Sequence, residues 1–159
     1  YIAKLGKAAD IEIECINCLK NAIAKSIKTR FGVDADANLI YMTCGAAASL
    51  TISLNAICNK GDEVIALAPF FPEYRVFVEK AGANLVVSKC RESDFQIDFT
   101  ALENAISENT KAIIVNSPNN PTGVVLSEDT IIKLASLLNK KQQEYGKKDF
   151  CAKRENNSK

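Results

Sequence analysis

The stretch NKGDEVIALAPFFPEY, residues 59–74, decides the fold. Asn59, Lys60, Gly61 and Asp62 read as a turn. Glu63 to Leu67 follows as a buried strand, an apolar run too short for a helix. Pro69 and Pro72 bracket an irregular loop that carries Phe70 and Phe71. Glu73 to Ala81 then reads as a short helix closed by Gly82, and Leu85 to Ser88 as the next strand. Strand, helix and strand in this order need a crossover connection, which is the signature of a parallel pair.

The same alternation extends outward in both directions. Upstream, Ile16, Leu19, Ile23 and Ile27 recur at helical spacing between Cys15 and Phe31, and Gly32 stands where a helix should stop. Leu39 to Met42 is a short β-prone run, and Ala46 to Ile57 is an Ala/Leu-rich helix. Downstream, Asp98 is an N-cap for a helix through Ile106, and Ala112 to Asn116 is a strand. Ser117 to Gly123 is a loop, and Ser127 caps a last helix reaching about Gly146. The pattern predicts an α/β, three-layer αβα fold with a mainly parallel sheet.

Composition narrows the function. The 159 residues are one domain's worth of sequence or part of a larger one, with 47% hydrophobic and 25% charged residues. Lys plus Arg is 20 against 19 Asp plus Glu, a net charge of +1, which argues against nucleic acid or an anionic membrane as the main partner. There is no histidine, so every mechanism that needs one from this chain is excluded. The six cysteines contain one C-x-x-C, Cys15 and Cys18, and no second close pair, so no zinc site is expected. Reduced structural thiols are the simpler reading; a redox reading would need the preceding Ile11-Glu12-Ile13-Glu14 to be a strand. The apolar stretch from Gly45 to Cys58 is broken by Ser49, Thr51, Ser53 and Asn55 and is too short to span a bilayer. With no basic-then-apolar leader, the cytoplasm is the simplest compartment. The chain opens on Tyr1 and its single methionine is Met42, so truncation is expected.

Ligands of parallel sheets sit beyond the carboxyl ends of the strands, so three loops matter. The first, Thr43-Cys44-Gly45-Ala46, turns into a helix through small residues. Its backbone N–H groups and the helix dipole suit a phosphate, and equally the segment is a plain tight turn. No G-x-G-x-x-G or Walker pattern is present. The second, Ala68 to Tyr74, offers an aromatic face for a planar ligand, or else two core rings. The third, Asn116-Ser117-Pro118-Asn119-Asn120-Pro121-Thr122-Gly123, is constrained more densely than a turn requires and could aim an amide at a ligand.

Together, in this order, the loops resemble the class I/II aminotransferases, pyridoxal-phosphate enzymes of fold type I. The motifs are TCGAAASL (43–50), PFFPEY (69–74) and NSPNNPTG (116–123), with NKGDEV (59–64) between them; the likeness runs from about Cys18 to Lys148. It implies that Gly45, Ala46 and Ala47 hold the phosphate of pyridoxal 5'-phosphate. It implies that Phe71, with Phe70 the weaker candidate, stacks on the pyridine ring. Asn120 would lie by the cofactor's phenolic oxygen and the substrate carboxylate, held by Pro121, Thr122 and Gly123. No metal is implied. The implied substrates are an amino acid and a 2-oxo acid, and the implied assembly is a homodimer.

The departures are as informative. The family's Schiff-base lysine, in a Ser/Thr-x-x-Lys setting, and the aspartate that pairs with the pyridine nitrogen lie downstream on other elements, and the aspartate's Asp-x-x-Tyr-like motif does not occur here. Thr130-Ile131-Ile132-Lys133 has the lysine spacing, but it follows directly on the Asn-Pro-Thr-Gly loop, within the last helix. The substrate-binding arginine of the small domain is also missing. Residues 1–148 therefore read as part of an aminotransferase large domain, inactive alone, and residues 149–159 as a polar tail. A carbon–sulfur lyase or an aminocyclopropane-carboxylate synthase of the same family would keep similar loops. A non-catalytic assembly chain derived from that fold is the reading from a different class. An unrelated nucleotide-binding α/β protein lacks its glycine motifs.

Overall fold

The computed structural model describes the backbone of residues 2–146 and the side chains of residues 16–146. Two compact units divide between Ala46 and Ala47.

The larger unit is built around a strand whose centre water does not reach. β1 (Glu63–Ala68) pairs in parallel with β2 (Asn84–Lys89) on one edge and with β3 (Thr110–Ile114) on the other, giving the order β2-β1-β3. Val64, Ile65 and Ala66 are each 0% exposed. Successive side chains on a strand point to opposite faces, so Val64 and Ile65 anchor two separate clusters. Val64 packs with Leu54, Val78 and Ala83, under α2 (Ala46–Ile57) and α3 (Glu73–Lys80). Ile65 packs with Ile97, Leu102, Ile106 and Leu134, under α4 (Phe99–Ala105) and α5 (Glu128–Glu144). Helices thus cover both faces, and the expected αβα layering with a parallel sheet is present.

The helix boundaries follow the sequence signals. Asp98 caps α4 by accepting from the N–H groups of Thr100 and Ala101 at 2.9 and 3.0 Å. Ser127 caps α5 by accepting from Thr130 N–H at 3.2 Å. β3 begins two residues earlier than expected, because Thr110 already pairs with Glu63 and the chain leaves the ladder after Ile114.

In the smaller unit a single helix, α1 (Ile2–Phe31), is followed by a 3-10 turn at Ala37–Leu39. α1 ends at Gly32, whose φ is +70° and whose N–H reaches Lys28 O at 2.9 Å, a C-terminal stop that favours glycine. Residues 11–14 are helical, so the strand that a redox C-x-x-C would need is not there. Cys18 is exposed on α1, whereas the side chain of Cys15 and the tail at 149–159 lie outside the described residues. Along the apolar stripe of α1, Ile16, Leu19 and Ile23 are exposed and Ile27 is half-buried.

The expected strand at Leu39 to Met42 does not form. Asp36 accepts from Asn38 N–H at 2.8 Å and curls the start of this run into the 3-10 turn. The remainder has no strand beside it among the described residues, and a lone strand leaves its backbone groups unpaired. Leu39 and Tyr41 are accordingly exposed. No described helix is long and apolar enough to cross a membrane.

The two-cluster core makes a direct stability prediction. Leu102 is 0% exposed in the Ile65 cluster, so Leu102→Ala is expected to cost about 2–5 kcal/mol. Ile132→Ala, at an exposed position of α5, is expected to stay within about 0.5 kcal/mol. Urea unfolding followed by far-ultraviolet circular dichroism separates the two; equal effects would contradict the packing described.

Candidate functional site

The direction of strand addition reverses at β1. From β1 the chain crosses to β2 on one side through α3, then returns through α4 to β3 on the other side. Crossovers of one hand place α3 and α4 on opposite faces, as the two clusters require. The loops leaving β1 and β3 consequently part in opposite directions and open a crevice at the carboxyl ends of these two strands, the place where parallel sheets bind ligands.

The loop after β1 is rigid and aromatic. Ala68 O accepts from Cys90 N–H at 3.0 Å, tying it to the residue that follows β2. Tyr74, 7% exposed at the start of α3, is stacked by Phe70 at 6.2 Å and 9° and met edge-on by Phe71 at 5.9 Å and 78°. The two phenylalanines differ in setting. Phe70 lines a crevice of about 20 Å³ with Leu67, Cys90, Ile97 and Ile114, a space the size of one water. Phe70 is half-buried and faces that crevice. Phe71 is half-buried and is not part of that lining.

The loop after β3 carries more internal bonds. Asn119 N–H donates to Val124 O at 2.8 Å, and Gly123 N–H to Asn119 O at 2.7 Å. Gly123 has φ +72°, in the left-handed region that glycine occupies without strain. Ser117 Oγ accepts from Leu126 N–H at 3.0 Å. The Ser117–Pro118 and Asn120–Pro121 bonds are cis, as is Ala68–Pro69 in the neighbouring loop. Asn120 is exposed, and no hydrogen bond engages its side chain among the described residues.

The two loops are joined by Asn119, to which the sequence assigned no separate role. Its Nδ2 donates to Pro69 O at 3.0 Å and to Thr122 Oγ1 at 2.8 Å, so both amide hydrogens are used. The loops that hold Phe71 and Asn120 are thereby brought together at one end of the sheet. The only signal for this in the sequence was the doubled asparagine, which does not say which of the two turns inward.

Gly45, Ala46 and Ala47 form the start of α2, with Gly45 at φ +99° just ahead of the first helical residue. Ala46 and Ala47 are exposed, and the first turn carries no acidic side chain. Thr43 Oγ1 donates to Gly45 O at 3.1 Å and stiffens the approach. The boundary between the units falls within this turn, so its geometry stands by itself.

Charges near the crevice are modest. The Arg91 guanidinium beside Asp94 and the Gln96 N–H hold the Asp94 carboxyl below the usual carboxylate range. Burial pushes the Cys90 thiol up, and Asp94 and Asp98 push it the same way. Lys133, on α5, places its ammonium 4.4 Å from the centre of the Phe99 ring. No group of acidic and cysteine side chains among the described residues is arranged to hold a metal ion.

Comparison with known proteins adds a lineage to this geometry. A family model described as aminotransferase class I and II matches residues 11–143. The chain is 37% identical over 120 residues to an aspartate aminotransferase of Bacillus subtilis, covering 75% of this chain and 30% of that protein. It is 35% identical over 119 residues to a probable aspartate aminotransferase of Methanocaldococcus jannaschii, covering 75% and 32%. A crystal structure of an amino transferase from Eubacterium rectale superposes with a TM-score of 0.78 at 50% identity, covering 80% of this chain and 32% of that one. The chain thus spans about a third of the length of the relatives it matches.

The half-buried Cys90 thiol yields a prediction of its own. Because the pKa of Cys90 is raised, less of it is thiolate at pH 8 than of an unperturbed thiol, and the thiolate is the nucleophile. Alkylation of Cys90 by iodoacetamide, followed by peptide mass spectrometry, is expected to lag a model peptide thiol at pH 8 and to keep rising beyond pH 9. Alkylation as fast as the model peptide would contradict this half-buried setting.

Proposed function

The chain belongs to the class I and II aminotransferase family, and from that premise we propose that it forms the pyridoxal-phosphate-binding end of an enzyme moving an amino group between an amino acid and a 2-oxo acid. One observation carries the reading. The Phe71 and Asn120 loops leave adjacent parallel strands at the point where strand order reverses, and Asn119 ties them together. A homodimeric assembly and a cytoplasmic setting belong to the same proposal.

The residues present fit the cofactor. A helix opening from Gly45 through two exposed alanines, with no acidic side chain in its first turn, favours an anion. In this reading the N–H groups of Gly45, Ala46 and Ala47 hold the phosphate. Phe71 covers one face of the pyridine ring and keeps water from it. The exposed Asn120 amide donates to the phenolic oxygen and, when substrate arrives, to its carboxylate. Bound there, the cofactor supplies an electron-poor ring that takes up charge from the carbon bearing the amino group. Among these 159 residues we assign none to moving the proton at that carbon; Lys133 is engaged with Phe99. The isolated chain is therefore proposed to bind and orient without turning over.

The test is a titration of the 159-residue chain with pyridoxal phosphate and, separately, with pyridoxal, followed by amide NMR shifts. The phosphorylated ligand is expected to move Gly45 to Ala47, with affinity on the order of millimolar, about 4 kcal/mol. Pyridoxal is expected to leave these amides in place, and Ala46→Glu to abolish the response by setting a carboxylate in the cradle. Equal shifts from both ligands would reduce the segment to a plain turn. With several amino acids and 2-oxoglutarate the chain is expected to show no transamination; turnover at ordinary enzyme rates that co-purifies with it would overturn that part.

A further inference from the structure

We propose that Asn119 is a positioning residue whose side-chain amide clasps the loop after β1 to the loop after β3, fixing the Phe71 ring and the Asn120 amide in one relation. The use of that relation by a cofactor rests on the function proposed above; the clasp itself does not. The geometry that points to it is specific. Nδ2 has two hydrogens and both are spent: one on Thr122 Oγ1 within its own loop at 2.8 Å, the other on Pro69 O of the neighbouring loop at 3.0 Å. The partners lie 50 residues apart, so this is a tertiary tie and not local turn chemistry. Asn119 is half-buried and lines the small crevice beneath the loops together with Phe70, Tyr74 and Asn116.

Its two chain neighbours explain the consequence. Pro69 is two residues before Phe71, and the intervening Phe70 lines the crevice and stacks on Tyr74. Asn119 immediately precedes Asn120, and the Asn119 backbone is closed in both directions by bonds to Val124 and Gly123. Thr122 Oγ1 is itself an acceptor for Val124 N–H at 3.3 Å, so the inner half of the clasp is braced. Cut the bond to Pro69 and each loop keeps its own turns, but the side-chain hydrogen bond that joins them is lost.

Three variants read this out: Asn119→Leu, a neutral side chain of similar size without a donor; Asn119→Ala, which cannot clash; and Thr122→Val, which removes the inner acceptor but leaves the Pro69 bond. In the ligand-free chain, with the β1–β3 amides unchanged as the folding control, both Asn119 variants are expected to shift the amides of Phe70, Phe71 and Tyr74. Thr122→Val is expected to shift only residues 119–124. With pyridoxal phosphate, circular dichroism in the ligand's own absorption band reports a ring held in one orientation, since the free ligand is achiral. That signal is expected to fall in the Asn119 variants, with affinity weakened roughly three- to tenfold, the loss of one hydrogen bond. Amides at 70–74 that stay in place in both Asn119 variants, or that move equally in Thr122→Val, would overturn the clasp. A wild-type chain with no induced signal would instead overturn the cofactor reading, and the ligand-free amides would still decide the clasp.

Discussion

Val64, Ile65 and Ala66 are withdrawn from water because β1 is hydrogen-bonded along both edges and covered on both faces. This double burial organises the larger unit. A strand without a solvent face needs apolar residues at consecutive positions, and residues 64–68 supply them. Full cover requires helices above and below, and α2 with α3 on the Val64 side and α4 with α5 on the Ile65 side provide it. Edge pairing on both sides in turn forces the chain to reverse its direction of strand addition at β1. The reversal is what leaves a crevice, so the core and the candidate site have one origin.

The crevice loops are held by polar contacts. Tyr74 receives a ring on each of two sides, and Asn119 spends both amide hydrogens. Most of the polar groups named in these loops have a partner, whereas Asn120 stands exposed. A tied frame that leaves the Asn120 amide exposed is the arrangement that orients a ligand at little ordering cost.

What could be read from the sequence was what local physics decides. The turn at 59–62, the caps Asp98 and Ser127 and the stop at Gly32 each depend on a few neighbouring residues, and each is where the sequence put it. What could not be read depends on partners distant in the chain. Leu39 to Met42 has strand-forming residues but no neighbour among the described residues to receive its hydrogen bonds. β3 is shifted by its pairing with Glu63, which no local pattern encodes. The Ile-Glu-Ile-Glu run alternates like a strand, yet a helix runs through it. At the site, the motif loops were visible and the family likeness singled out Asn120, but the role of Asn119 depends on a tertiary bond to Pro69 that no local pattern encodes.

That bond has a consequence in time as well as in space. Its partners are separated by 50 residues, and between them lie α3, β2, α4 and β3. Non-local contacts carry a loop-closure cost that must be met before they stabilise anything. On a ribosome Pro69 emerges long before Asn119, and the loop after β1 waits until β3 has docked against β1. The crevice is thus among the last features to mature, and a chain that has collapsed around β1 and β2 alone already has part of its core but none of its joined loops.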